Sequence, residues 1–213
     1  MSLRTLTALE ARVLAVLVEK QATVPDSYPL SLNALTLGCN QKTAREPVMN
    51  ASEADVLQAL DELKTMHLIT TVSGNRVVRF EHNAARGLGV PGAAMAILTL
   101  LMLRGPQTTA ELRLHTERLH RFADLSSVEG FLDEMVERVP PFVVKLARTA
   151  GAREARWAHL LCGEVVQDMT GQALLPRDDE IAFLRAEQQR LSGELEQLKA
   201  LVLRMAAELG INT

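Results

Sequence analysis

Apolar positions along this chain fall into two successive blocks with the same internal order. In residues 7 to 82 the spacing predicts three amphipathic helices and then a two-stranded hairpin, and residues 92 to 161 predict that series again. Thr7 with Glu10 reads as a capping box, and Leu9, Val13, Leu14, Val16 and Leu17 give the first helix a broad apolar face to about Lys20. Pro25 and Pro29 break it, Ser31 caps a short second helix through about Cys39, and Pro47 closes the polar stretch that follows. A third helix starts at Ser52, with Asp55 three residues later, and buries Val56, Leu60 and Leu63. Leu68 to Val72 and Arg76 to Glu81 are β-prone and flank Ser73-Gly74-Asn75, a hairpin signal. In the second block a helix follows Pro91, and Thr108 with Glu111 and Ser126 with Glu129 read as two more capping boxes. Phe142 to Arg148 and Glu154 to Leu160 then predict a hairpin around Thr149 to Arg153, with Gly151 at the turn.

The blocks align segment by segment. Val13 and Leu14 lie over Ile97 and Leu98 at an offset of 84, Ser31 and Leu35 over Thr108 and Leu112 at 77, and Leu60 to Leu63 over Leu132 to Met135 at 72. The offset shrinks only between helices, where surface insertions are tolerated. Helix, helix, helix, hairpin is the winged-helix order. The expected fold is therefore mainly α with small β-hairpins (α+β): a winged-helix domain in residues 1–86, a linker in 87–92, a second winged-helix domain in 93–162 and a connector in 163–176. At about 80 residues each, the two domains sit near the lower end of what one core stabilises alone, so mutual packing is expected.

Residues 177–210 predict one further helix. Ile181, Leu184, Gln188, Leu191, Leu195, Leu198, Val202 and Met205 alternate in steps of three and four, a heptad seam that predicts a parallel coiled-coil homodimer. One long amphipathic helix folded back on its own domains fits the same residues, because periods of 3.5 and 3.6 separate poorly over so short a run.

Composition narrows the chemistry. Aromatic residues make up only 3% of the chain, which supplies few stacking platforms for single-stranded nucleic acid. Cys39 and Cys162 have neither the number nor the spacing for a disulfide framework or a zinc site. Glu10, Arg12 and Glu19 interrupt the first helix, so it is no signal-peptide core, and the longest apolar run, Ala93 to Leu103, is too short to span a bilayer. The expectation is a soluble cytoplasmic protein without cofactor or membrane partner.

Several stretches carry a closer likeness: Leu6 to Arg12, Tyr28 to Leu35 with Cys39-Asn40-Gln41-Lys42, Leu103 to Thr108, and Glu117 to His120 with Phe122-Ala123-Asp124. Through them the chain resembles the YceH-like family of uncharacterised bacterial proteins over most of residues 6 to 162. The resemblance implies a tandem winged-helix fold and supplies no catalytic residues; the heptads lie outside it.

Motifs with catalytic associations are thin. Gly87 to Gly92 matches GxGxxG, but the strand before it belongs to a hairpin rather than a parallel βαβ unit, so it reads as a flexible interdomain linker. His115 and His120 are five apart and do not share a helix face; with His67, His82 and His159 they read as surface or helix-end residues. No enzymatic activity is expected.

Winged helices suggest DNA, with the third helix in the major groove, yet the charges oppose that placement. The third helix carries Glu53, Asp55, Asp61 and Glu62 against Lys64, and its counterpart carries Glu129, Asp133, Glu134 and Glu137 against Arg138, a net of −3 in each. Facing phosphates, each such clash costs about 1 kcal/mol in water and more where water is excluded. Positive charge is local instead, at Lys42 and Arg45 in the long loop, Arg76 and Arg79 on the first wing, Arg113 and Arg118 near the fifth helix, and Arg148, Arg153 and Arg156 on the second wing. The first reading is a transcriptional regulator that touches double-stranded DNA through these wings and the loop. The alternative is a protein-interaction scaffold that offers Asp61, Glu62, Asp133 and Glu134 to a basic protein partner.

Overall fold

The computed structural model of the chain describes residues 4–73, 77–148 and 154–165. The chain divides between Gln167 and Asp168, so every described residue lies in the first of its two units. The heptad residues Ile181, Leu184, Gln188, Leu191, Leu195, Leu198, Val202 and Met205 lie outside the described residues, as do most of the connector and the wing arginines Arg76 and Arg153.

The order is α1 (Ala8–Thr23), a 3-10 turn at Pro25–Ser27, β1 (Leu30–Ser31), α2 (Leu32–Cys39), α3 (Glu53–Thr65), β2 (Ile69–Ser73), β3 (Val78–His82), α4 (Ala84–Leu88), α5 (Gly92–Arg104), α6 (Thr109–His115), a second 3-10 turn at Thr116–Arg118, α7 (Leu125–Val136), β4 (Val143–Lys145) and β5 (Trp157–His159). It is mainly α with small antiparallel sheets. The starts of α1, α3 and α6 are the capping boxes read from Thr7/Glu10, Ser52/Asp55 and Thr108/Glu111, and Ser31 accepts from the Ala34 amide at the start of α2. Each such cap satisfies amides that a helix leaves bare at its N-terminus and contributes about 1 kcal/mol.

Three elements differ from the pattern. Asp124, not Ser126, caps α7, accepting from the amide of Ser127 at 2.8 Å and from its hydroxyl at 2.6 Å. A helix absent from the pattern, α4, ends inside the stretch 87–92 expected as a flexible linker, and its Ala84 and Leu88 are buried one turn apart. Gly87 lies so close to the preceding chain that a Cβ there would meet the Leu68 side chain at 2.7 Å, and Gly89 ends the helix in the left-handed region at φ 63°. Third, β1 adds a strand to the first hairpin, giving the order β1-β3-β2 with Leu30 opposite Phe80. The second block keeps a remnant of this strand, a single bridge between Gln107 and Trp157, which stand at the same offset of 77 from Leu30 and Phe80.

One apolar core runs through both blocks. Its centre is α1 against α5: Val13 to Leu17 and Ile97, Leu98 and Leu103 are fully buried. Fully burying a Val, Leu or Ile side chain contributes roughly 1.5–3 kcal/mol, so this shared layer outweighs any surface pairing. Around it, α2 and α3 pack on α1, and α6 and α7 pack together, with α7 also on α5. Backbone bonds cross between the blocks as well, from the Glu46 amide to the Leu103 carbonyl at 2.7 Å and from the Leu6 amide to the Leu161 carbonyl at 2.8 Å.

Candidate functional site

The third helix of each block turns its carboxylates outward. On α3, Val56, Leu60 and Leu63 face the core, which leaves Glu53, Asp55, Asp61 and Glu62 exposed beside Lys64. On α7, Val128, Leu132 and Met135 are buried, and Glu129, Asp133 and Glu134 are exposed with Glu137 at its end. The helix period places Glu53, Leu57 and Asp61 in one column on α3, and Leu125, Glu129 and Asp133 in the matching column on α7. Arg4 reaches Glu62 at 3.0 Å while chelating Glu10, so one carboxylate of the first face is partly neutralised. Asp55 is held below the usual carboxylate range by the hydroxyl and amide of Ser52, and Asp124 likewise by Ser127, so both stay ionised at neutral pH.

The cations expected to meet DNA fare unevenly. Arg45 is buried, 5% exposed: its guanidinium pairs with both Glu19 oxygens and donates to Gln41 and to the carbonyls of Gly38 and Ala44, which leaves no donor for a phosphate. Arg79 lies at the surface but donates to the Pro29 carbonyl at 2.7 Å, and Arg156, at the equivalent position, donates to the Pro106 carbonyl at 2.9 Å and faces Glu111 at 3.4 Å. These two arginines clasp each hairpin to the segment entering the second helix. Arg113 donates to the Ala123 carbonyl at 3.2 Å, whereas Lys42, Arg118 and Arg148 stand exposed. Position along the chain places these in the polar loop, near the fifth helix or on the hairpins; nothing local distinguishes the one, Arg45, that the fold buries.

Two exposed leucines escape the sequence pattern. Leu37 on α2 and Leu114 on α6 are 65% and 67% exposed, and they occupy the same place in the repeat, an offset of 77 apart. Leu57 and Leu125 on the third helices are also exposed. Asn33 on α2, one turn before Leu37, donates to Glu53 at the start of α3 at 3.2 Å.

Two histidines are engaged within the fold, while His67 and His120 are exposed. His82 pairs with Gln21 at 2.7 Å and His115 with Gln107 at 2.6 Å, and burial lowers the basicity of both. Among the described residues no three His, Cys, Asp or Glu side chains form a metal-binding group. Burial pushes the Cys39 thiol up to about 12 and the Cys162 thiol up to about 11, away from the reactive thiolate. A cleft of about 590 Å³ lies between Arg4, Leu88, Arg138, Phe142 and Leu161. Its cations are already engaged: Arg138 donates to the Leu88 and Gly89 carbonyls and stacks 4.6 Å from the Phe142 ring centre. Among the described residues no helix is long and apolar enough to cross a membrane.

Comparison with known proteins gives one consistent result. The model of a family described as protein of unknown function, DUF480, matches residues 6–152. A UPF0502 protein of Leptothrix cholodnii is 61% identical over 98% of this chain and 97% of its own length. UPF0502 proteins of Burkholderia pseudomallei strain 668 and of Burkholderia orbicola are each 61% identical over 99% of this chain and 92% of theirs. The likeness to an uncharacterised bacterial family drawn from the motifs agrees with these matches.

Proposed function

The chain belongs to the DUF480 family, and from its own surfaces we propose that it is a non-enzymatic scaffold of two winged-helix modules whose acidic third-helix faces receive a basic protein partner. One observation carries this reading. Both blocks present an outward carboxylate row at matching positions, Asp61 and Glu62 on α3 and Asp133 and Glu134 on α7, while Arg45 is buried with every donor engaged and the exposed Arg79 and Arg156 each tie a hairpin to the segment before the second helix. A row of like charges facing solvent raises the approach rate of an oppositely charged partner and repels a polyanion. A cytoplasmic homodimer joined through the heptad seam of residues 177–210 would display each face twice.

Isolation of a specific partner on the full-length chain, followed by affinity measurement with purified components, tests this. Asp61→Lys combined with Asp133→Lys is expected to weaken binding by about a hundredfold, since each reversal replaces an attraction with a repulsion worth roughly 1 kcal/mol or more. Unchanged affinity removes the proposal.

The exposed cations on α6 and after it favour a second reading, contact with double-stranded DNA. Arg113, Arg118 and Arg121 lie within nine residues, with Lys42 and Arg148 exposed elsewhere. That reading requires wild-type protein to shift a DNA duplex at about 50 mM salt, where phosphate contacts are strongest, and the shift to be lost when Arg113, Arg118 and Arg121 become Ala.

A further inference from the structure

We propose that a cleft where the two blocks meet is a binding site for a small oxyanionic molecule, whose phosphate or carboxylate group is held by the guanidiniums of Arg104 and Arg156 beside His115. The site is separate from the acidic faces and stands whether or not those faces receive a partner.

The cleft encloses about 280 Å³ and takes its walls from both repeats: Glu46 in the loop after α2, Arg104 at the end of α5, Gln107 before α6, Glu111 and His115 on α6, and Arg156 just before β5. An arginine in the last turn of a helix is ordinary, since its charge suits the negative helix end. Arg104 differs in what it leaves unspent. It is partly buried, yet among the described residues its side chain has no hydrogen-bond or ion-pair partner. Its five N–H donors stand in a planar fork, the shape that takes two oxygens of one carboxylate or phosphate. Arg156 spends one donor on the Pro106 carbonyl at 2.9 Å and reaches Glu111 only at 3.4 Å, so it too has donors to offer.

His115 is preset for the same task. Buried Gln107 donates through its Nε2 to the Leu100 carbonyl at 3.3 Å, so its Oε1 is the atom that meets His115 Nδ1 at 2.6 Å. A carbonyl oxygen only accepts, hence Nδ1 carries the ring proton and Nε2 is left unprotonated, without a partner among the described residues. Burial, and then the charge of Arg104, hold the ring neutral against the pull of Glu111. An oxyanion in the cleft favours the imidazolium instead, whose Nε2–H becomes a further donor, so binding takes up a proton. The charges lining the cleft leave room for this occupant. Arg45 is cancelled by Glu19, and Glu111 is spent on the Thr108 amide at 2.9 Å and on Arg156. Glu46 is exposed, where water solvates it. Arg104, Arg156, Glu46 and Glu111 cancel in formal charge, so it is the unspent donors that select the ligand. A cation drawn to Glu46 would have to sit beside two guanidiniums.

Equilibrium dialysis of the full-length chain against radiolabelled sulfate, a phosphate mimic, and against radiolabelled malonate reads the two chemistries separately, with chloride holding the ionic strength constant. Saturable binding close to one anion per chain is expected, and the tighter of the two names the group. Arg104→Gln should weaken it about tenfold, the scale of one charge-assisted hydrogen bond. Arg104→Lys keeps the charge without the fork and should recover only part of that loss. Because Arg104 holds no other group of the fold, thermal melting of both variants should match wild type. Glu46→Gln, which removes a repelling carboxylate, should tighten binding by about threefold. Sulfate affinity should rise severalfold from about pH 7 to about pH 5.5, and His115→Asn, whose amide can still donate to Gln107, should flatten that rise. Absence of saturable binding for both anions, or binding indifferent to Arg104→Gln and Arg104→Lys, overturns the proposal. Weaker binding in Glu46→Gln would place a cationic group in the cleft and overturn the oxyanion assignment. A pH response that survives His115→Asn would overturn the part given to that ring.

Discussion

Arg12 and Arg45 show how a residue's role is decided by chain far from it. Arg12 is fully buried in α1 and has no carboxylate at hydrogen-bond distance: it donates to the Cys39 carbonyl at 3.2 Å and to the Pro47 carbonyl at 2.7 Å, and its Nε has no partner. Burial, and then the nearby charge of Arg45, lower its pKa, yet a guanidinium stays protonated in proteins. The two arginines thus fold the polar loop after α2 back onto α1, with Ala44 in the left-handed region at φ 58° between them. A loop sequence of Gln, Lys, Thr, Ala, Arg and Glu reads as solvated because Glu19, the carboxylate that draws Arg45 inward, lies a whole helix and turn away. His159 is a more direct case of burial acting on chemistry, since its Nδ1 is buried without a partner and burial lowers its pKa from 6.5 to about 4. Between those two values the unfolded chain binds a proton that the folded chain refuses. Stability carried by the neutral ring is therefore complete above about pH 6.5 and is lost as pH falls toward 4. At about 1.4 kcal/mol per pH unit the loss is on the order of 3 kcal/mol. Urea unfolding at pH 7 and pH 4.5 is expected to show a larger drop for wild type than for His159→Leu; equal drops would show that His159 does not titrate this way.

At the scale of elements, what was legible depended on whether the deciding interaction is local. The starts of α1, α3 and α6 could be read because a short capping side chain and its Glu or Asp partner lie within one turn of each other. Strand β1 could not. It is two residues long, and its pairing with Phe80 and Arg79 reaches across about 50 positions, with no alternation of its own to announce it. The start of α7 offered two overlapping registers, Ser126 with Glu129 or Asp124 with Ser127, and the earlier one formed. An ionised carboxylate accepts from an N-terminal amide and also faces the positive end of the helix, an advantage that a serine hydroxyl lacks. Asp124→Ala is accordingly expected to destabilise the fold by about 1 kcal/mol, while Ser126→Ala stays within about 0.5 kcal/mol. Chemical denaturation of the two variants measures this directly, and the reverse ranking would return the cap to Ser126. The acidic faces belong to the same scale: Asp61, Glu62, Asp133 and Glu134 were readable as outward because they fall opposite the apolar stripe of a helix. The exposure of Leu37 and Leu114 was not, because a leucine next to an apolar face counts toward that face until packing excludes it.

In the whole molecule, the duplication visible in the sequence does not make two independent bodies of the described residues. α1 of the first block packs on α5 of the second, and the Glu46–Leu103 and Leu6–Leu161 backbone bonds tie a loop and the segment before α1 across the junction. Arg138 adds two donors to the carbonyls of Leu88 and Gly89 between the blocks. Blocks of about 80 residues bury too little surface to be robust alone, so a shared central layer gives each the core that it lacks. Cooperativity is the measurable consequence. Trp157, the chain's single tryptophan, is buried in the second block and reports on that block alone, whereas Leu14 is fully buried in the first. Leu14→Ala removes about 2–5 kcal/mol from the first block's packing. If the layer couples the blocks, the denaturation midpoint seen by Trp157 fluorescence falls together with the one seen by far-UV circular dichroism, although the substitution lies in the other repeat. If the tryptophan midpoint stays where it is in wild type while the dichroism midpoint falls, the blocks unfold separately and the α1–α5 contact is only a docking of self-sufficient modules.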